Sequence, residues 1–435
     1  MKSSDKECMY ESKLASTSGS SSEEKGVRSD SSSPETTADN NSNVAARMRE
    51  DNELFAPAET KAVFWLRLVL LTILVVSTIS VALTIYIYTS SSEKDQFEEY
   101  FYDSGGKVLS SVRASFDLTF GSADSFSVGL VSFARFSGME WPYVTLPDYA
   151  VRLTKLRAIS GAVVVSQYHL VQEEQRVQWQ NYSLANDAWV GEGLEVQKND
   201  RNFQGKLLTE FEPNGVIYDN FGRPSEGPGP FLPRWQSAPI VPNYAPYNWD
   251  GSGYIPLMNS LPALIDGKQA VISEVLNMPS FNDEDGVFAA WRTSWVKDFI
   301  ADDKNPSEPI MDIYYPVIDD APDSITLSDG SNGTVVGILA ITIFWADFIQ
   351  GILPPGTDGI LCVVSNSCGQ VFTYQINGPD VVYLGLGDLH DANYNHLELI
   401  GTTINFVFGE PYSGLPVSNG ACPYLLKIYP SKVRK

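Results

Sequence analysis

Basic side chains are scarce in this sequence: 30 Lys and Arg stand against 53 Asp and Glu, a net charge of −23. Phosphate-rich nucleic acid and anionic lipid headgroups both need a basic footprint, so neither is expected as a partner. Histidine is scarcer still, with three residues, and none lies in an HExxH pattern. The four cysteines form no CxxC pair, which removes the common zinc signatures. No GxSxG elbow and no GxxxxGK phosphate loop occurs. The run "HDANYNH" sets His390 and His396 beside Asp388 and Asp391, but it reads as a polar surface loop rather than a metal site. "GLGDLH" at 385–390 lacks the third glycine of a pyrophosphate fingerprint. These absences leave no catalytic constellation and no expected cofactor or metal.

Long hydrophobic runs are also absent, with one exception. Leu68 to Tyr88, "LVLLTILVVSTISVALTIYIY", is 21 residues without a charge, and about 20 apolar residues cross a bilayer core. Trp65 stands at one end and Tyr86 and Tyr88 at the other, as an aromatic belt would place them. Arg47, Arg49, Lys61 and Arg67 precede the run, whereas only Lys94 follows closely. The positive-inside rule then puts the N-terminus in the cytosol and the remainder outside, at the plasma membrane or in an endomembrane lumen. The sequons at Asn181 and Asn332 and three of the four cysteines fall on that outer side. Upstream, residues 1–60 hold few apolar side chains and read as a disordered tail. Ser20 and Ser21, each close to Glu residues, are conceivable phosphorylation sites there. The expected organisation is a tail over 1–60, a transmembrane signal-anchor helix over 61–89 and a stalk helix over 90–139. Two α/β lobes follow, over 140–275 and 276–435.

The stalk is read from Phe97, Phe101, Val108, Val112 and Phe116, which share one helical face that Leu109 and Phe120 widen. Such a stripe packs on its own domain or on a second copy. The glycines at 105 and 106 weaken the helix signal. Beyond it the pattern is mixed α/β: "AISGAVVVSQYHLV" is strand-like, "QEEQRVQWQNYSLANDAWVGEG" helical, and "ILCVVSNSCGQVFTYQING" a hairpin. Between them "PFLPRWQSAPIVPNYAPYNWDGSGY" is dense in Pro, Gly and aromatics, too rich in rings to be a plain linker.

The stretches "EYFYDSGGKVLSSVRASFDL", "WPYVTLPDYAVRLTKLRAISGAVVVSQYHLVQEEQRVQWQNYS" and "VVGILAITIFWADFIQGILPPGTDGILCVVSNSCGQVFTYQING" resemble the extracellular sensor region of diatom-type receptor nucleotide cyclases. That region is similar to CHASE and double-Cache sensors. The resemblance implies a stalk helix carrying two PAS-like lobes, a homodimer through the stalk stripe, and a small extracellular ligand. In that family a second span and a cyclase domain follow the last strand. This sequence stops at Lys435 before either, so no catalytic domain is expected in it. The resemblance also favours a Cys368–Cys422 disulfide, which would staple the last strand to its neighbour; Cys362–Cys368 is the alternative pairing, and Cys8 is expected to be reduced in the cytosol. For the ligand, Arg234, Trp235, Tyr244, Tyr247, Trp249 and Tyr254 of the aromatic loop offer ring faces, polar tips and a two-pronged cation. The competing reading is that these rings are core. For the protein as a whole, the alternative is a membrane-tethered glycoprotein that binds without signalling.

Overall fold

The computed structural model describes the backbone of residues 44–200, 213–240, 247–280, 285–299, 305–319, 333–401 and 422–431. One helix, α1, spans Val44–Phe136. It begins inside the segment expected to be an unstructured tail, so 44–60 is helical; residues 1–43 lie outside the described residues. The chain divides into two compact units, Met1–Ile87 and Tyr88–Lys435. The first contains an uncharged stretch with a window of mean hydropathy 2.6 and no buried side chains. It is long and apolar enough to cross a membrane, and no other described helix is.

The second unit contains two five-stranded antiparallel sheets. The first has the order β2-β1-β5-β4-β3, built from β1 (Val164–His169), β2 (Arg234–Ala238), β3 (Val271–Val275), β4 (Ile310–Asp319) and β5 (Thr334–Phe344). Helices α2 (Tyr149–Ser160), α3 (Arg176–Ala185), α4 (Ala188–Asn199), α5 (Ile255–Ile265) and α6 (Val287–Phe299) belong with it. After the short α7 (Trp345–Ile349) comes the second sheet, of order β8-β7-β6-β10-β9. Its strands are β6 (Ile360–Asn366), β7 (Val371–Asn377), β8 (Asp380–Leu386), β9 (Leu399–Ile400) and β10 (Tyr424–Pro430). The boundary expected at 275 therefore falls within the first sheet, whose β4 and β5 come after it. Those two strands, "MDIYYPVID" and "TVVGILAITIF", are the longest apolar strands among the described residues and take inner places in the sheet, where both faces are covered. Strand β10 is internal too, between β6 and β9.

The apolar stripe of α1 is buried by this same chain. Phe101, Val108, Val112, Phe116 and Phe120 are each at most 2% exposed and share one core with Cys362, Val364, Phe372, Leu426 and Ile428 of the second sheet. Phe116 stacks on Phe348 at 4.2 Å between ring centroids. For Phe101 to Phe116 this corrects the expectation that the stripe meets a second copy, since the second sheet already covers them; Phe97 is half-buried. Gly105 has a packing role. A Cβ there would lie 3.0 Å from Leu399 Cδ2 and 3.2 Å from Ile428 Cγ2, so the missing side chain lets β9 and β10 approach the helix. Further along, Asp124 accepts a hydrogen bond from the Tyr315 hydroxyl at 2.6 Å, and Asp319 accepts from Arg135 Nε at 2.8 Å, tying α1 to β4. Cys368 and Cys422 form a disulfide, and Cys362 is a buried free thiol whose pKa burial pushes up to about 12.

Candidate functional site

Alternation along β2 separates two neighbouring candidate residues. Successive strand side chains point to opposite faces, so Arg234 and Trp235 enter different cores. Trp235 joins Trp179, Trp189, Ile240 and Tyr247 on one face. Its indole meets Trp179 and Tyr247 edge-on at 5.4 Å each and donates to Thr145 Oγ1 at 3.1 Å. The Tyr247 hydroxyl donates to Asp187 at 3.0 Å, and burial, with Asp187 adding to it, raises its pKa. Trp235 and Tyr247 are therefore core residues of an aromatic layer. Tyr244 lies outside the described residues.

Buried in that same layer is His169. Its Nδ1 lies 2.6 Å from the Pro142 carbonyl and its Nε2 2.6 Å from Gln167 Nε2. A carbonyl only accepts, so Nδ1 carries the proton and Nε2 accepts from the Gln167 amide. Burial pulls the pKa down to about 4, against a smaller upward effect of the Pro142 bond, so the ring is neutral at pH 7.

The opposite face carries the charged chamber. Arg234, Tyr168 and Ser166 project there from β2 and β1, Asp312 and Tyr314 from β4, and Thr342 from β5; all are less than 9% exposed. Over them lie Trp249 and Tyr254, from the segment leading into α5, and Arg292, from α6. The Arg234 guanidinium sits 5.4 Å above the Trp249 ring, and Arg292 sits 4.0 Å above the Trp295 ring. Trp249 is fixed by its own donation to Asn220 Oδ1 at 2.9 Å. Asp312 is well supplied: Thr342 donates to Oδ1 at 2.5 Å, and Tyr314 and Tyr254 donate to Oδ2 at 3.0 and 3.3 Å. Arg292 Nη2 is 3.9 Å from Oδ1.

The arginines are the unbalanced part. Among the described residues, Arg234 Nε and Nη2 have no acceptor, nor has Arg292 Nε. Nε and Nη2 form one edge of the guanidinium, the edge that grips a carboxylate with two parallel bonds. Burial pulls Arg234 below its ordinary pKa, opposed by Tyr168, which also hydrogen-bonds the guanidinium, and by Tyr218. For Arg292 burial, the largest single effect, acts in the same direction, but Tyr254, Asp312, Tyr314 and Tyr168 together outweigh it and its pKa rises. Among the described residues, two guanidiniums thus meet one carboxylate in a layer closed to solvent. An unpaired buried charge is expensive, and an anion seated between the arginines would relieve it.

Three of the six residues expected at the site, Arg234, Trp249 and Tyr254, meet in this chamber. Arg292 and Asp312 escaped the sequence reading. Their signal was a charge inside an apolar pattern: Asp312 within "IMDIYYP", and Arg292 between Trp291 and Trp295 of a helix. Elsewhere, His390 bonds to Asp388 and Asn395 and stacks on Tyr429, while His396 is exposed. The one group of three possible metal ligands among the described residues is Glu274, Cys368 and Cys422, and its two cysteines are bonded to each other. Asn181 is exposed on α3; Asn332 lies outside the described residues. No protein-family description and no curated protein matches the chain.

Proposed function

We propose that the chain is a single-pass membrane-anchored extracellular sensor, the input part of a receptor linked to cyclic-nucleotide signalling. Its first lobe, on this reading, is PAS-like and captures a small carboxylate between Arg234 and Arg292. The N-terminus faces the cytosol, as the basic residues before the apolar stretch favour. The observation that carries the ligand reading is the orphaned Nε–Nη2 edge of the buried Arg234, beside a second buried arginine and a carboxylate that already holds three donors. The sheet order of the first lobe, with α5 and α6 laid over its polar face, supports the sensor reading.

The test is a thermal-shift panel on the full chain in detergent, with acetate, pyruvate and benzoate against chloride and methylammonium. A ligand that binds only the folded state raises apparent stability by mass action. At least one carboxylate is expected to raise the midpoint, and Arg234→Ala and Arg292→Ala are expected to erase the rise. Stabilisation by methylammonium alone, or a carboxylate response untouched in both variants, would overturn the site.

A further inference from the structure

Strand β3 is the edge strand of the first sheet, yet its outer side is not left to solvent. Ile272 pairs with Ile313 and Val275 with Met311, so two residues, Ser273 and Glu274, stand opposite Asp312 alone. That is a β-bulge, and bulges turn backbone groups out of the ladder. The displaced groups go two ways. Inward, Ser273 Oγ accepts from the backbone N–H of Asp312 at 2.9 Å. Outward, the Ser273 carbonyl accepts from the Tyr424 hydroxyl at 2.8 Å. Next to it the Gln370 side chain closes on Val275 from both sides, accepting from its N–H at 2.7 Å and donating to its carbonyl at 2.8 Å; it also donates to the Met278 carbonyl at 3.0 Å.

Tyr424 and Gln370 belong to the second lobe. Tyr424 is fully buried, opens β10 and lies 4.9 Å from Trp345 between ring centroids. Strand β10 then pairs with β6 from Tyr424 to Pro430 and presses Ile428 against Gly105 of α1. One run of direct contacts therefore leads from Asp312 through Ser273 to Tyr424, β10 and α1. Every group on it is buried, where a packed contact has few intermediate positions.

We propose that the β3 bulge is the transmission element of the anion site: a shift of Asp312 is passed through Ser273 to Tyr424 and moves β10 against α1. The proposal rests on the anion-site reading for its input, but the mechanical link is testable without a ligand. Hydrogen exchange is measured on the full chain. Asp312→Asn is expected to speed exchange of the β10 amides at least tenfold and to leave unchanged those of β8, at the far edge of the second sheet. In a Tyr424→Phe background, which lacks only the hydroxyl, the same substitution is expected to change β10 less than twofold. Should Asp312→Asn compromise folding, Ser273→Ala takes its place with the same expectations. Equal acceleration of β10 in both backgrounds, or acceleration of β4 with β10 unmoved, overturns the relay. The two readings fail separately. A carboxylate response that ignores Arg234 sinks the site and leaves the exchange result standing; a normal carboxylate response with additive exchange effects sinks the relay alone.

Discussion

The two sheets share a plan and differ in what they bury. In each, the first strand lies between the second and the last: β2-β1-β5 in one and β7-β6-β10 in the other. The second sheet turns Cys362, Val364, Phe372, Tyr374, Leu426 and Ile428 inward against α1, a face without charge. The first sheet turns Ser166, Arg234, Asp312 and Thr342 inward on one of its faces, beneath Arg292. Burying charge costs free energy that apolar packing does not. A lobe that keeps two arginines and an aspartate indoors gives up stability that its neighbour, with an uncharged inner face, keeps.

Truncating the apolar lobe should therefore do the most damage. Trp345 is fully buried and meets Phe116, Phe372 and Tyr424. Trp345→Ala should cost about 3–5 kcal/mol in urea denaturation, a typical loss for a buried tryptophan. A loss below about 1 kcal/mol would show that the lobe is not the stable half. The Cys368–Cys422 disulfide closes a 54-residue separation, so replacing both cysteines with serine should cost about 4 kcal/mol on chain-entropy grounds. The urea midpoint of the double variant checks it.

His169 gives the aromatic layer of the first lobe a pH dependence. Its folded pKa lies below the unfolded value, so the unfolded chain takes up the proton first. Its contribution is fully present above about pH 6.5. It is lost as pH falls toward about 4, where the folded ring also protonates. The loss should approach about 3 kcal/mol, since each tenfold difference in proton affinity between the folded and unfolded chain is worth about 1.4 kcal/mol. His169→Gln should flatten that part of the stability curve; an unchanged curve would mean the histidine does not stay neutral. The smallest effect should come from the charged chamber. Arg234→Met removes an uncompensated buried charge while keeping an apolar stem, so unliganded stability should stay within about 1 kcal/mol of wild type or rise. A loss of about 3 kcal/mol or more would mean the guanidinium already has its partner.

Patterns confined to one element were legible in the sequence. The uncharged stretch Leu68–Tyr88 and the stripe from Phe101 to Phe116 stand where their spacing put them. What covers that stripe was not legible, because an apolar helical face specifies a partner's chemistry and not its identity; β10, more than 300 positions away in the chain, fills the place given to a second copy. The site was half legible for a similar reason. Arg234 and Trp235 are adjacent in sequence, yet β2 sends them to opposite faces. Arg292 and Asp312 reach Arg234 only through sheet order and the placing of α6.

Calorimetric titration of the most stabilising carboxylate into wild type and Arg234→Lys decides whether the buried Arg234 edge is a carboxylate fork. Lysine keeps the charge but presents a point donor instead of two parallel N–H bonds. The lysine variant is expected to bind at least tenfold more weakly, at unchanged stoichiometry. Equal affinity in the two proteins would contradict it.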